Sequence, residues 1–323
     1  MNESISSALK NWVPIKLYEE QEVTYCRWLY TGNETFTDPF FDETIGKCWN
    51  LPENSAMYKT VSSVEMLGEW SRQIESISPT AFIFHVSRCG STLVSQLLGL
   101  DPANITLSEV PFIDVALQNE LKKNNPSSSL VKAVINFYGA KRNEQNKYLF
   151  IKTDSWHVHF YRQLRELYPG IPFIVLYRRP DEVIRSHQKR RGTHAVPGLI
   201  DPEIFNLDKN EIAGLNLDEY LAKVLESYFT AFIEILQNDK LAIAVNYDEG
   251  AVDIVKKIAN ATGIRLRQEE IETMQLRTGF HGKYPEQKFE EHSLGTGIPT
   301  YQKNVFELYE TIEKIRTAET KPA

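Results

Sequence analysis

Cysteine is scarce in this chain, with three in 323 residues: Cys26, Cys48 and Cys89. They form no C-x-x-C pair and no even framework, which excludes a disulfide-stapled scaffold and a thiolate metal site and leaves reduced thiols as the expectation. Positive charge is also in deficit. The 36 Lys and Arg against 43 Asp and Glu leave a net charge of −7, which argues against a nucleic-acid partner, since such proteins present a basic face that releases counterions from phosphates. No run of 18 apolar residues occurs and Met1 opens a polar segment, so no membrane partner and no signal peptide are expected, and a soluble, cytoplasmic location is. There is no internal repeat and no low-complexity tract. A Gly-Lys-Ser or Gly-Lys-Thr closing a long Gly-rich loop is missing, and no apolar strand ends in an aspartate suited to Mg²⁺, so ATP chemistry is disfavoured and no metal is expected.

What is present begins at residue 81. Ala81-Phe82-Ile83-Phe84-His85-Val86 is an apolar run, Ser87-Arg88-Cys89-Gly90-Ser91-Thr92 is a polar turn, and 93–98 is apolar at helical spacing. The pattern is strand, anion-binding turn, helix. Backbone N–H groups at a helix start have no intrahelical partner, so Gly90, Ser91 and Thr92 offer amides and hydroxyls to a phosphate-like group, and Arg88 adds a permanent charge. By itself such a turn is also explained as a plain helix cap.

A second run, Ile171-Pro172-Phe173-Ile174-Val175-Leu176-Tyr177, leads into Arg178-Arg179-Pro180-Asp181-Glu182. Pro180 suits the first helical position and the two acids suit the positive end of the helix dipole, so a helix is predicted to start there. Arg178 at the strand end and Ser186 two turns into that helix are placed to clasp a second phosphate, Arg by its forked donors and Ser by its hydroxyl.

These two motifs, in this order, resemble the nucleotide loops of the sulfotransferases that use 3′-phosphoadenosine 5′-phosphosulfate (PAPS), in style closest to the tyrosylprotein and bacterial-type branches. Further matches carry the likeness over about residues 80–306: Ile151-Lys152-Thr153-Asp154 closing a strand, the stretch 164–186, and Ala244-Val245-Asn246-Tyr247-Asp248-Glu249 before a helix. The resemblance implies a three-layer P-loop sulfotransferase-like α/β core, PAPS as donor cosubstrate, and no metal. It implies that Arg88, Gly90, Ser91 and Thr92, in the loop that also contains Cys89 and Leu93, hold the 5′-phosphosulfate. Arg178 and Ser186 would hold the 3′-phosphate, and Lys152 would face the sulfuryl group.

For the base, the tyrosylprotein branch places a Glu where this chain has Glu109. Cytosolic small-molecule members place a His two residues after the Lys, where this chain has Asp154. Glu109 is the first choice and Asp154 the second, because burial can tune a carboxylate into a base; His157 and His159 are nearby substitutes that read more simply as helix residues. Arg88 and Lys152 suit the leaving-group end of sulfuryl transfer, where negative charge develops. Cys89 sits inside the anion loop as a nucleophile or a spacer, and spacer is the expectation. Ser293-Leu294-Gly295-Thr296-Gly297 resembles the family's C-terminal covering loop, with Lys303 as its basic residue or, equally, as part of a plain helix start.

The rest of the chain reads more coarsely. Strands are predicted at 81–86, 105–107, 148–152, 172–177 and 241–246, alternating with helices, which favours a parallel sheet covered on both faces. Residues 1–78, rich in Trp and Tyr, read as an N-terminal elaboration packed on a catalytic domain at 79–323, with an extended stretch at 23–30 and a helix at 62–77. A polar loop is expected at 122–127, an acceptor lid at 192–217 and a strong amphipathic helix at 220–237. The expected acceptor is a hydroxyl, or less often an amine, of a small molecule, carbohydrate or peptide; a homodimer is compatible with the helices. Two other readings stay open: a P-loop phosphotransferase acting on a small molecule, and a regulatory protein that binds nucleotide without turnover.

Overall fold

The structure is a computed structural model that describes residues 2–55, 57, 59–122, 129–279 and 299–319. The N-terminal stretch folds as α1 (Asn2–Leu9), β1 (Trp12–Glu20), β2 (Val23–Tyr30), α2 (Phe41–Cys48), β3 (Val61–Ser63) and α3 (Val64–Ser71), with the three strands forming an antiparallel sheet in the order β1-β2-β3. Gln21 and Glu22, both at positive φ, make the tight turn of the first hairpin. The predicted helix at 62–77 is shorter than its pattern. Its first residues pair with β2, where Ser62 Oγ accepts a hydrogen bond from Trp28 Nε1 at 2.9 Å, and the amide of Ile77 donates to the carbonyl of Gly139. Pairing to neighbouring chain at both ends thus claims backbone groups that helical periodicity alone would assign to the helix.

The remainder runs β4 (Ala81–His85), α4 (Ser91–Leu98), β5 (Asn104–Ser108), α5 (Pro111–Lys122), α6 (Ser129–Tyr138), β6 (Tyr148–Lys152), α7 (Tyr161–Leu167), β7 (Phe173–Tyr177), α8 (Pro180–Lys189), α9 (Lys209–Ile212), α10 (Leu217–Asn238), β8 (Ala242–Asn246), α11 (Ala251–Thr262), α12 (Gln268–Thr278) and α13 (Lys303–Glu319). All five predicted core strands are present, and they form one parallel sheet in the order β5-β6-β4-β7-β8. The polar loop expected at 122–127 falls, beyond Lys122, outside the described residues. Every residue of β4 and β7 is buried, as expected of strands covered on both faces. Phe82 and Phe84 each stack on Phe173 at 5.2 Å, and such fully buried rings contribute roughly 1.5–3 kcal/mol each.

Parallel pairing fixes where the chemistry can sit. The register sets Ile83 against Lys152, Ser108 against Lys152, and Tyr177 against Asn246, so the carboxyl ends of all five strands open on one rim. The chain leaves β4 toward β5 and β6 on one side and later toward β7 and β8 on the other. The rim at β4 is therefore a switch point of the sheet, where open α/β folds form their ligand crevice.

The N-terminal unit packs on α6: Trp28 meets Phe137 at 4.6 Å, Phe41 meets Tyr138 at 5.2 Å, and the Tyr138 hydroxyl donates to the carbonyl of Pro14. At the other flank, Glu313 of α13 accepts from the Tyr177 hydroxyl and from Asn246 Nδ2 and pairs with Arg316, which fastens α13 to the ends of β7 and β8. Among the described residues no helix is long and apolar enough to cross a membrane.

Candidate functional site

The turn after β4 is a backbone device. Ser87, Arg88 and Gly90 all have positive φ (64°, 51° and 76°), the winding by which successive backbone amides can form an anion-binding nest. The first intrahelical bond runs from the Val94 amide to the Gly90 carbonyl at 3.1 Å, and Gly90 caps the helix without a side-chain partner. Ser91 and Thr92 follow, both buried, with Leu93 half-buried against the core. Glycine is required at 90 for two reasons. Its φ suits no branched residue, and a Cβ there would stand 2.8 Å from the ring of Tyr247.

The other two side chains of this loop point elsewhere. Arg88 Nη2 donates to the carbonyl of Arg190 at 2.6 Å, bridging to the end of α8. Cys89 is buried, its Sγ donates toward the Leu176 carbonyl at 3.6 Å, and burial pushes the thiol up to about 11. That is the behaviour of a spacer and not of a nucleophile.

The second loop comes to the first through Tyr247. The Arg178 guanidinium lies 4.0 Å from the centre of the Tyr247 ring, the same ring that limits Gly90. Arg178, just past β7, donates through Nε at 2.6 Å to Glu182 in the first turn of α8, and Ser186, half-buried, stands one turn further along that helix. A carboxylate thus lies against the cation that the sequence assigns to a phosphate.

Beside β4 the rim carries a second cation held the same way. Lys152, fully buried at the end of β6, donates to Glu109 Oε1 and lies 5.5 Å from the ring of Phe40 in the N-terminal unit. Glu109 has a left-handed backbone (φ 56°), and its amide donates to the Lys152 carbonyl at 2.8 Å. Burial alone would raise the Glu109 carboxyl, but the Lys152 charge and the nearby His85 outweigh it and hold the group well below the usual carboxylate range. Asp154, two residues past Lys152, has its carboxylate 3.8 Å from His157 Nε2. Burial lifts it to about 6, with the charge of Glu109 acting in the same direction and His157 against it.

The histidines are engaged elsewhere. His157 is buried with Nε2 at 2.9 Å from Asp114, which also accepts from Trp156 Nε1 at 2.7 Å. His159 Nε2 lies 3.1 Å from Ser227, at a cleft of about 590 Å³ between the loop at 192–217 and α10, and burial lowers it to about 4. Lys303 is exposed at the head of α13, and the covering loop 293–297 lies outside the described residues.

Of the residues singled out in the sequence, the carboxyl ends of the strands carry Gly90, Ser91, Thr92, Glu109, Lys152, Asp154 and Arg178, while Ser186 lies on α8 one turn beyond Glu182. Arg88 and Cys89 share the loop while their side chains are turned to other partners. His85, Phe40, Glu182 and the stacking role of Tyr247 escaped the sequence reading. A histidine ending an otherwise apolar strand was the available signal for His85, and the spacing of four from Arg178 was the signal for Glu182.

The chain is similar to sulfotransferases of known structure. These include the sulfotransferase of Alicyclobacillus acidocaldarius (12% identity, TM-score 0.42, 75% of this chain and 95% of that one), the sulfotransferase domain from the curacin biosynthetic pathway (13%, 0.46, 73% and 99%) and sulfotransferase STF9 from Mycobacterium avium (14%, 0.46, 79% and 80%). No protein-family model and no curated protein matches the sequence.

Proposed function

We propose that the chain is a sulfotransferase that passes the sulfuryl group of PAPS to a hydroxyl, or an amine, of a small-molecule, carbohydrate or peptide acceptor. The observation that carries the reading is the meeting of the two anion cradles on one aromatic ring: Tyr247 lies over Gly90 and stacks on Arg178. An adenosine with a charged group at each of two ribose positions needs two separated anion sites on one crevice, and the β4 rim supplies them.

The residues fit the donor. Amides of Gly90, Ser91 and Thr92, aided by the α4 dipole, suit the 5′ group, while Arg178 and Ser186 suit the 3′-phosphate. Lys152 is the cation for the charge that develops on the leaving phosphate oxygen. Glu109 takes the acceptor proton as the new O–S bond forms, the S–O bond to the nucleotide breaks, and the bridging electron pair leaves with 3′-phosphoadenosine 5′-phosphate (PAP). Glu109 and Glu182 each hold a cation that the donor claims, so binding exchanges a carboxylate for a phosphate or sulfuryl oxygen at both. Losing Lys152 raises the proton affinity of Glu109 toward that of a working base.

Calorimetric titration with PAP tests the site. Arg178→Ala is expected to weaken binding by about tenfold or more, the scale of a lost charge-assisted contact, and Ser186→Ala by a few-fold, with melting temperatures unchanged. Unaltered affinity in both would sink the site assignment. Transfer of radiolabelled sulfate from PAPS across a panel of phenols, amino sugars and tyrosyl peptides tests the activity; tight PAP binding with no transfer to any of them would favour a non-catalytic nucleotide-binding protein.

A further inference from the structure

We propose that His85 is a positioning residue that aims the Glu109 carboxylate and ties it to the anion loop, an inference that rests on the sulfuryl-transfer reading above. His85 ends β4 and is 3% exposed. Both ring nitrogens are engaged. Nδ1 lies 3.0 Å from the amide of Ser87, which can only donate, so Nδ1 is the acceptor and the ring proton resides on Nε2. Nε2 lies 2.9 Å from the Thr153 carbonyl and 3.5 Å from Glu109 Oε1. One planar group therefore spans the first left-handed residue of the anion loop, the strand end that carries Lys152, and the carboxylate.

The geometry gives this ring a task that Lys152 cannot perform. The Glu109 main chain is already fixed by its amide hydrogen bond to the Lys152 carbonyl, so only its side chain needs holding, and among the described residues Lys152 and His85 hold it. Once Lys152 turns its charge to the donor, the Nε2–H of His85, shared between the Thr153 carbonyl at 2.9 Å and Glu109 Oε1 at 3.5 Å, is what remains to orient the carboxylate. Burial lowers the ring's proton affinity, more than the neighbouring Glu109 raises it, so the imidazole stays neutral. It guides the carboxylate through one weak N–H contact, a smaller influence on its proton affinity than the Lys152 charge.

Two amide substitutions divide the ring in half. In His85→Asn the side-chain oxygen reaches the Nδ1 position and keeps the Ser87 amide satisfied, but nothing extends to Glu109. In His85→Gln the side-chain nitrogen reaches the Nε2 position and keeps the donor toward Thr153 and Glu109, but the Ser87 contact is lost. With the full chain, PAP as binding probe, and PAPS with the acceptor found by the panel or with water as acceptor, a crossed result is expected. His85→Asn should hold PAP affinity and lose about 10–100-fold in kcat, the scale of a lost supporting contact, whereas His85→Gln should lose a few-fold in PAP affinity and stay within about threefold in kcat. Equal losses in the two variants, or losses that follow the melting temperature, overturn the positioning role while leaving the parent reading standing. A wild-type chain that binds no PAP, or that binds it and never releases sulfate, overturns the parent reading, and the role of His85 with it.

Discussion

The two proposed anion cradles on the β4 rim are built of different material. The first is made of backbone: three left-handed residues, a glycine capped by the Tyr247 ring, and the amides at the head of α4. Its one permanent cation, Arg88, reaches away to the carbonyl of Arg190. The second is made of side chains, with Arg178 stacked on Tyr247 and paired with Glu182, and Lys152 beside the first cradle is likewise paired, with Glu109. A backbone cradle is preorganised, since its amides keep their direction as long as glycine holds position 90. A cation held by its own carboxylate is a competition, and its affinity for a ligand is set by what the ligand must displace.

Glu109→Gln attacks that competition at its most consequential point. The amide keeps the shape and loses both the charge and the capacity to take a proton, so turnover should fall by about 100-fold or more, the usual scale of a positioned base. PAPS affinity should hold or rise, because Lys152 is released from its partner. Full retained activity would move the proton acceptor to Asp154.

Gly90→Val breaks the backbone cradle instead. The new side chain meets the Tyr247 ring at 2.8 Å from its first atom and forces a branched residue into φ 76°. That conformation alone costs on the order of 1–2 kcal/mol, and displacing the ring disturbs Arg178 as well. PAP affinity should drop by about 100-fold, with a lower melting temperature. A variant binding PAP like the wild type would show that the ring and the loop do not form one site.

Glu182→Gln sharpens the comparison from the other side, with a smaller effect of opposite sign. Releasing Arg178 from its carboxylate should tighten PAP by a few-fold, since the pair lies at the half-buried surface, where ion pairs are worth about 1 kcal/mol or less. The same substitution should leave kcat alone. Weaker binding would mean that Glu182 braces Arg178 for the phosphate and does not compete with it.

This difference in material also decides what the sequence could reveal. The backbone cradle announces itself, because Gly90-Ser91-Thr92 after a run such as 81–86 is a local pattern with a local cause. The five core strands are equally legible, since buried parallel strands read as continuous apolar runs. The competition is not legible. That Glu182 would hold Arg178 follows from a helix spacing of four, but that Arg88 would reach Arg190, 102 residues away, or that Phe40 would lie beside Lys152, depends on how separate elements pack. The shortened helix at 64–71 has the same origin: pairing of Ser62 and Ser63 with β2 overrode a helical period. His85 was visible as a polar end to an apolar strand, yet its role is defined only by groups that the sheet brings in from β6 and β5.

Asp154 supplies the smallest and most selective test, because it lies near Glu109 and burial outweighs the positive charge around it. Its carboxyl is raised in the folded chain to about 6, first by burial and then by Glu109, so the folded state binds this proton more tightly than the unfolded chain, where the ordinary aspartate value is near 3.9. The group therefore favours folding most at low pH, below its unfolded value, and that contribution is lost as pH rises through about 6. Glu109, held below the usual range, has the opposite sign: it supports the fold at neutral pH and ceases to do so as acid protonates it. Replacing Asp154 by Asn removes only the first of these. Urea unfolding at a series of pH values should find Asp154→Asn more stable than the wild type at pH 7 by on the order of 1 kcal/mol, with the gap closing between pH 6 and pH 4. A gap that is constant across that window would mean that Asp154 titrates normally and that its carboxylate is solvated at the rim, which would remove the burial that could tune it into a base.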